Sequence, residues 1–214
     1  MVTESQFFKV YRNKFTPIYA EVIVLLGYKP QQVLNEQANI LSHFAQYQNP
    51  ALSPSIRDEN LNKAFNHLLR VTLDLHKMAV LEVDHRLARI FAGNPDAKYS
   101  FKLKRSEVMK EYKNFLDHCT EARYKEESLV GVSPLRTMIC YNRAYNVGMD
   151  LYESFDEEIF NKINRLKQNQ RARDIFLGFI LGVIASVLGS YIFKWIEGGT
   201  GSFFGGNKTD NGTK

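Results

Sequence analysis

The chain has 214 residues, with 28 Lys and Arg against 23 Asp and Glu and a formal net charge of +5. That length holds one ordinary domain with a real core plus something extra, and the basic bias is too mild to expect specific nucleic-acid binding, although it suits an anionic ligand or lipid. Only Cys119 and Cys140 are present, without CxxC or Cys/His ligand spacing, so no disulfide framework or zinc site is indicated and both read as reduced cytoplasmic thiols. No P-loop, GxSxG or HExxH string occurs, so no cofactor or metal is expected and the chain does not read as an enzyme.

The opening MVTESQFFKVYRNKF mixes charge with aromatics and lacks the apolar core of a signal peptide, so no cleavable export signal is expected. Thr3-Glu4-Ser5-Gln6 is a capping box, and the helical pattern behind it is kinked or divided at Pro17, with Thr16 as a fresh N-cap. Gly27 ends that pattern. A second helix is predicted from Pro30 to about Gln48, where Asn49-Pro50 stops it. Pro54-Ser55 then opens a long helix from Ile56 to Ala92. Its apolar stripe is Leu61, Phe65, Leu68, Thr72, Leu75 and Ala79, with Leu69, Leu73, Val80 and Leu87 alongside. Gly93-Asn94-Pro95 ends it.

This long helix contains the string Arg70-Val71-Thr72-Leu73-Asp74-Leu75-His76. The string resembles the R-x4-6-H motif of HEPN ribonucleases, which are all-helical and act as dimers. That resemblance implies that Arg70 and His76 activate a ribose hydroxyl and stabilise a phosphate. The sequence departs from the family where Val71 follows the arginine, because the family favours a polar residue there. Residues six apart on a helix also lie about 120° apart around its axis. The structural alternative is that Arg70, Asp74, Lys77 and Asp84 pair along a solvated face, with His67 and His85 on the bundle surface.

Lys98-Tyr99-Ser100-Phe101-Lys102-Leu103-Lys104-Arg105 alternates, with Tyr99, Phe101 and Leu103 on one side and Lys98, Lys102 and Lys104 on the other. A short strand or extended linker there presents a basic comb, completed by Arg105, to a phosphate or nucleotide, with aromatics available for stacking. The alternative is a solvated connection. From Ser106 to Ser128 a further helix carries Val108, Tyr112, Phe115 and Cys119 on one face. His118 and Cys119 are sequence neighbours about 100° apart on it, a poor nucleophile-base pair. Gly131 to Pro134 is the last turn.

Pro134 begins a pattern running through Met138, Tyr145, Met149, Tyr152, Phe155, Ile159, Ile163 and Leu166 with only Gly148 inside it. With no other Gly or Pro before the apolar segment, the two form one rod or break softly at Gln168-Asn169-Gln170. Ile175 to Phe193 carries no charge, and its length of roughly 28 Å matches a bilayer's hydrocarbon core. Lys194 and Trp195 sit where interface anchors belong. On the other flank Lys162, Arg165, Lys167, Arg171 and Arg173 stand without an acid, which places the large N-terminal part in the cytoplasm.

Within the span Gly178, Gly182, Ser186 and Ser190 recur every four residues, a groove that permits close helix contact and, in a ring of copies, a narrow path. The Gly-rich end carries sequons at Asn207 and Asn211. The expected organisation is therefore a cytoplasmic bundle over 1–168, a basic junction over 169–174, a transmembrane helix over 175–193 and a flexible tail over 194–214. The fold class is all-α, a cytoplasmic long-helix bundle followed by one C-terminal transmembrane helix.

In layout the chain resembles the small single-pass membrane effectors of bacterial anti-phage defence, in which a soluble sensor triggers loss of membrane integrity. The expected protein is a homo-oligomer, in the inner membrane if bacterial, with membrane lipid and a nucleotide or other anionic ligand as partners. The alternatives are a membrane-tethered HEPN-like ribonuclease and a tail-anchored scaffold or adaptor without activity.

Overall fold

The computed structural model describes residues 2–93, 96–128 and 134–200, without the side chains of 93, 191 and 193–200. The expected stops at Asn94-Pro95 and 131–133, the anchoring side chains of Lys194 and Trp195, and the sequons lie outside what is described. Among the described residues the fold is all-α. Helix α1 (Glu4–Val10) passes through a π turn (Tyr11–Phe15) into α2 (Thr16–Leu26), followed by α3 (Gln31–Gln48), α4 (Pro54–Gly93), α5 (Arg105–Ser128), α6 (Pro134–Glu153) and α7 (Glu157–Thr200).

The ends follow local chemistry. Thr3 Oγ1 accepts from the Gln6 amide at 3.2 Å while Gln6 Oε1 accepts from the Thr3 amide at 2.9 Å, so the capping box forms as read. Pro17 does not divide the first helix, and Thr16 is not a fresh cap. Proline at 17 has no N–H for the Asn13 carbonyl and its ring crowds that carbonyl, so the ladder widens to π spacing for one turn. The Thr16 amide and hydroxyl both reach Tyr11 O, the hydroxyl at 2.9 Å. Gly27 stops α2 at φ 75°, a left-handed value that suits glycine.

The chain divides into two compact units, Met1–Phe160 and Asn161–Lys214. In the first unit α4 is the spine. Its first half is covered by the N-terminal helices, with Phe15, Val22, Val33, Leu61, Leu68 and Leu75 in one core. Its second half joins α5 and α6 around Val83, Leu87, Val108, Phe115, Ala144 and Leu151. Most of the expected stripe is buried, but Phe65 is only partly so, and Ala64, Val71 and Val83, absent from that stripe, are fully inside. Gly148 is a packing position. A Cβ there would stand 2.7 Å from both Phe115 Cε2 and Val83 Cγ1, so only glycine lets α6 approach α4 and α5 this closely.

The connection from α4 to α5 is not a strand. It is a 3₁₀ turn at Ala97–Tyr99 and a single antiparallel bridge between Phe101 and Phe155. The Lys102 amide donates to Ser154 O at 2.8 Å and the Asp156 amide to Ser100 O at 2.6 Å. This contact also overturns the continuous rod. The helix breaks at Ser154-Phe155-Asp156, because Phe155 leaves the helical path to pack on Phe101 and Phe160, at 5.3 and 5.5 Å between ring centroids. Asp156 then starts α7 by accepting from the Ile159 amide at 3.0 Å. Gln168-Asn169-Gln170 lie inside uninterrupted α7.

Candidate functional site

Four places bear on function, and the first is the surface of α7. This helix is long and apolar enough to cross a membrane, and none of its most apolar eighteen-residue window is buried. Ile175 is 74% exposed, Phe179 68% and Leu181 64%. A soluble core helix hides such side chains, since each apolar residue left in water forgoes about 1.5 to 3 kcal/mol. Gly178, Gly182 and Gly189 have no atom within 4 Å of where a Cβ would stand, so the small-residue line is open. Ser190 Oγ donates to Ser186 O at 2.7 Å, which satisfies its hydroxyl within the helix.

The basic segment is gathered differently from the alternation read in the sequence. Phe101 is buried, stacked on Phe91 at 5.5 Å, whereas Tyr99 and Leu103 are exposed, and Ser100 between them is fully buried. Period two fails because the 3₁₀ turn and the single bridge, rather than a ladder, set the side-chain directions. Lys98 Nζ and Arg105 Cζ each lie 5.6 Å from the Tyr99 ring centroid, and Arg105 Nη1 donates to the Tyr99 hydroxyl at 3.2 Å. Lys102 and Lys104 are exposed. The Lys104 amide donates to the Glu107 carboxylate at 3.1 Å, which sets an acid at the base of the comb. The structure thus joins Lys98 and Arg105 around one aromatic ring.

Arg70 and His76 are placed apart in environment. Arg70 is exposed. His76 is 8% exposed, and its Nδ1 is enclosed without a hydrogen-bond partner. Burial, and then the nearby Lys14 ammonium, push its pKa from the ordinary 6.5 down to about 4, so the ring is neutral at pH 7. His76 floors a cleft of about 420 Å³ that Lys14 and Glu21 also line. The helical spacing gave no sign of this, because His76 lies at the edge of the stripe beside Leu75 and its cover comes from residues far away in sequence.

A second cleft, of about 730 Å³, lies between α4 and α5 and holds a charged network only half of which follows from helical spacing. Lys77 pairs with Asp74 at 3.2 Å, as i,i+3 spacing suggests, and also with Glu126 of α5. The Tyr141 hydroxyl donates to Glu126 Oε2 at 2.7 Å. Burial alone would lower the Lys77 pKa, but Glu126 and Asp74 outweigh it and hold the ammonium charged. Burial and the Asp84 charge raise the Cys119 thiol to about 11, so it stays protonated and unreactive. On another face of α4, Arg86 donates to Leu25 O, closing the open end of α2, while its guanidinium lies 5.5 Å from the Tyr152 ring centroid.

Among the described residues no group of three or more His, Cys, Asp and Glu side chains is placed to hold a metal ion. Comparison with protein families, with curated proteins and with solved structures gives no match.

Proposed function

We propose that the chain is a homo-oligomeric, single-pass membrane effector whose cytoplasmic helical bundle senses an anionic signal and whose α7 helices then open or disrupt the bilayer. The observation that carries this reading is the unburied apolar surface of α7. Such a surface has no stable place in water and is the ordinary surface of a helix in lipid. The basic residues from Lys162 to Arg173 support a cytoplasmic bundle, which in a bacterium faces in from the inner membrane. The open line at Gly178, Gly182, Ser186 and Ser190 supports contact between copies, since close backbone approach is what drives association in lipid. The nuclease alternative draws no support from the structure, because Arg70 is exposed and is not among the residues lining the cleft that holds His76.

The test is reconstitution of the full chain into dye-filled liposomes. Dye escape that is present with the natural sequence and lost in Gly182→Leu, with insertion unchanged, supports the reading. Protein that inserts but never releases dye, alone or with nucleotides added, overturns the effector reading and leaves a membrane-bound scaffold. Ribonuclease activity abolished by His76→Ala, with dye retained throughout, would move the chain to the HEPN class.

A further inference from the structure

Helices α2 and α6 both pack on α4, and the cleft beneath which His76 lies is the space between them. Its volume of about 420 Å³ is that of a small-molecule site. Ile18, His76 and Met138 form a buried floor, and Lys14 and Glu21 stand at the rim.

Two features distinguish this cleft from a packing fault. His76 is enclosed with an unmet Nδ1, which costs free energy that a leucine at the same point of the stripe would not. Of the two ring nitrogens Nδ1 is the one enclosed without a partner, and the Nε2–H tautomer makes the ring a neutral donor toward the cleft. Second, Lys14 and Glu21 line the same cleft about 10 Å apart along the helix, at 1.5 Å per residue, and both are exposed. One end of the cleft is cationic, the other is an acceptor, and the floor between is apolar.

We propose that this cleft binds a guanine mononucleotide, with its phosphate between Lys14 and His76, its flat base against Ile18 and Met138, and its N1–H and N2–H₂ edge on the Glu21 carboxylate. A nucleoside monophosphate spans the required distance. A carboxylate accepts two parallel bonds from guanine, whereas adenine turns an acceptor nitrogen toward it and is disfavoured. Inorganic phosphate fills only the cationic end. This site replaces the Lys98 comb as the place where the signal is read. It deepens the effector reading and rests on it only for the consequence of binding.

The experiment is titration calorimetry on the full chain in detergent with GMP, AMP and inorganic phosphate, scored without any membrane response. GMP should bind at least about tenfold more tightly than AMP or phosphate, a difference readily resolved by this method. Lys14→Ala should weaken GMP at least about tenfold, and Glu21→Gln should bring GMP and AMP to within about threefold of each other. Arg70→Ala, on the exposed face of α4, should bind as the natural chain does, and circular dichroism checks that each variant is folded. Absence of GMP binding overturns the proposal, as does equal affinity for GMP, AMP and phosphate. Loss of binding in a Lys98→Ala/Lys102→Ala variant but not in Lys14→Ala also overturns it, by returning the site to the comb. If GMP binds as described and dye release does not respond, the site stands and the effector reading falls.

Discussion

Helices α4 and α7 are nearly equal in length, at 40 and 44 residues, and they treat their apolar residues in opposite ways. In α4 an apolar stripe recurs at Leu61, Ala64, Leu68, Val71, Leu75 and Ala79, and every residue of it is covered, while Ile56 and Leu81, off that stripe, are exposed. In α7 Ile175, Phe176, Leu177, Phe179, Ile180 and Leu181 follow one another around the axis, and all are exposed. A stripe can be answered by neighbouring helices, whereas a belt needs a solvent of its own kind. Helix length and content of leucine or isoleucine do not separate the two cases. Their distribution around the helix does.

The sharpest break of this comparison is a matched pair of truncations. Leu68→Ala, at a fully buried site, should cost the bundle about 3 kcal/mol in denaturant unfolding, while Leu181→Ala should leave the same transition unmoved. Equal losses would mean that α7 is covered like α4. Acid should then distinguish the covered helix further. The folded chain holds His76 near 4 against an ordinary 6.5, so the unfolded state takes up the proton first. Stability present above about pH 6.5 should fall away as pH drops through 4, by up to about 3 kcal/mol, and His76→Gln should flatten that slope in melting experiments from pH 7 to 4.

Glycine gives a finer contrast. Gly148→Ala should destabilise by about 2 kcal/mol because the new methyl meets a buried ring and Val83, whereas Gly178→Ala meets nothing and should leave bundle stability unchanged. The smallest effect is at the start of the chain. Thr3→Ala removes the capping hydroxyl and should cost about 1 kcal/mol, read as a small drop in Tm.

What was legible in the sequence is what local chemistry decides. The capping box at Thr3, the left-handed Gly27 and the stops around Pro30, Asn49 and Pro54 all act within a few residues, and all are where the chain pattern put them. The break at Ser154-Phe155-Asp156 was not legible, because it contains no glycine or proline and is made by Phe101, which belongs to another part of the chain. The π turn was half legible. Pro17 announced a disturbance, but whether a helix restarts or merely widens depends on the aromatic packing of Phe7, Tyr11 and Phe15, which a continuous helix preserves. Among the candidate site residues, the spacing of Gly178, Gly182, Ser186 and Ser190 was visible as a pattern. The meeting of Lys14, Glu21 and His76 was not, since no period links positions on two helices.

The Phe101–Phe155 corner has one more consequence. Its fastening bonds are given and taken by the main chain at Ser100, Lys102, Ser154 and Asp156, so the lysine at 102 contributes an amide that almost any residue could supply. The corner should therefore persist when that lysine's charge is removed or reversed at the bench. Proline alone, lacking the hydrogen, would unfasten it at that position.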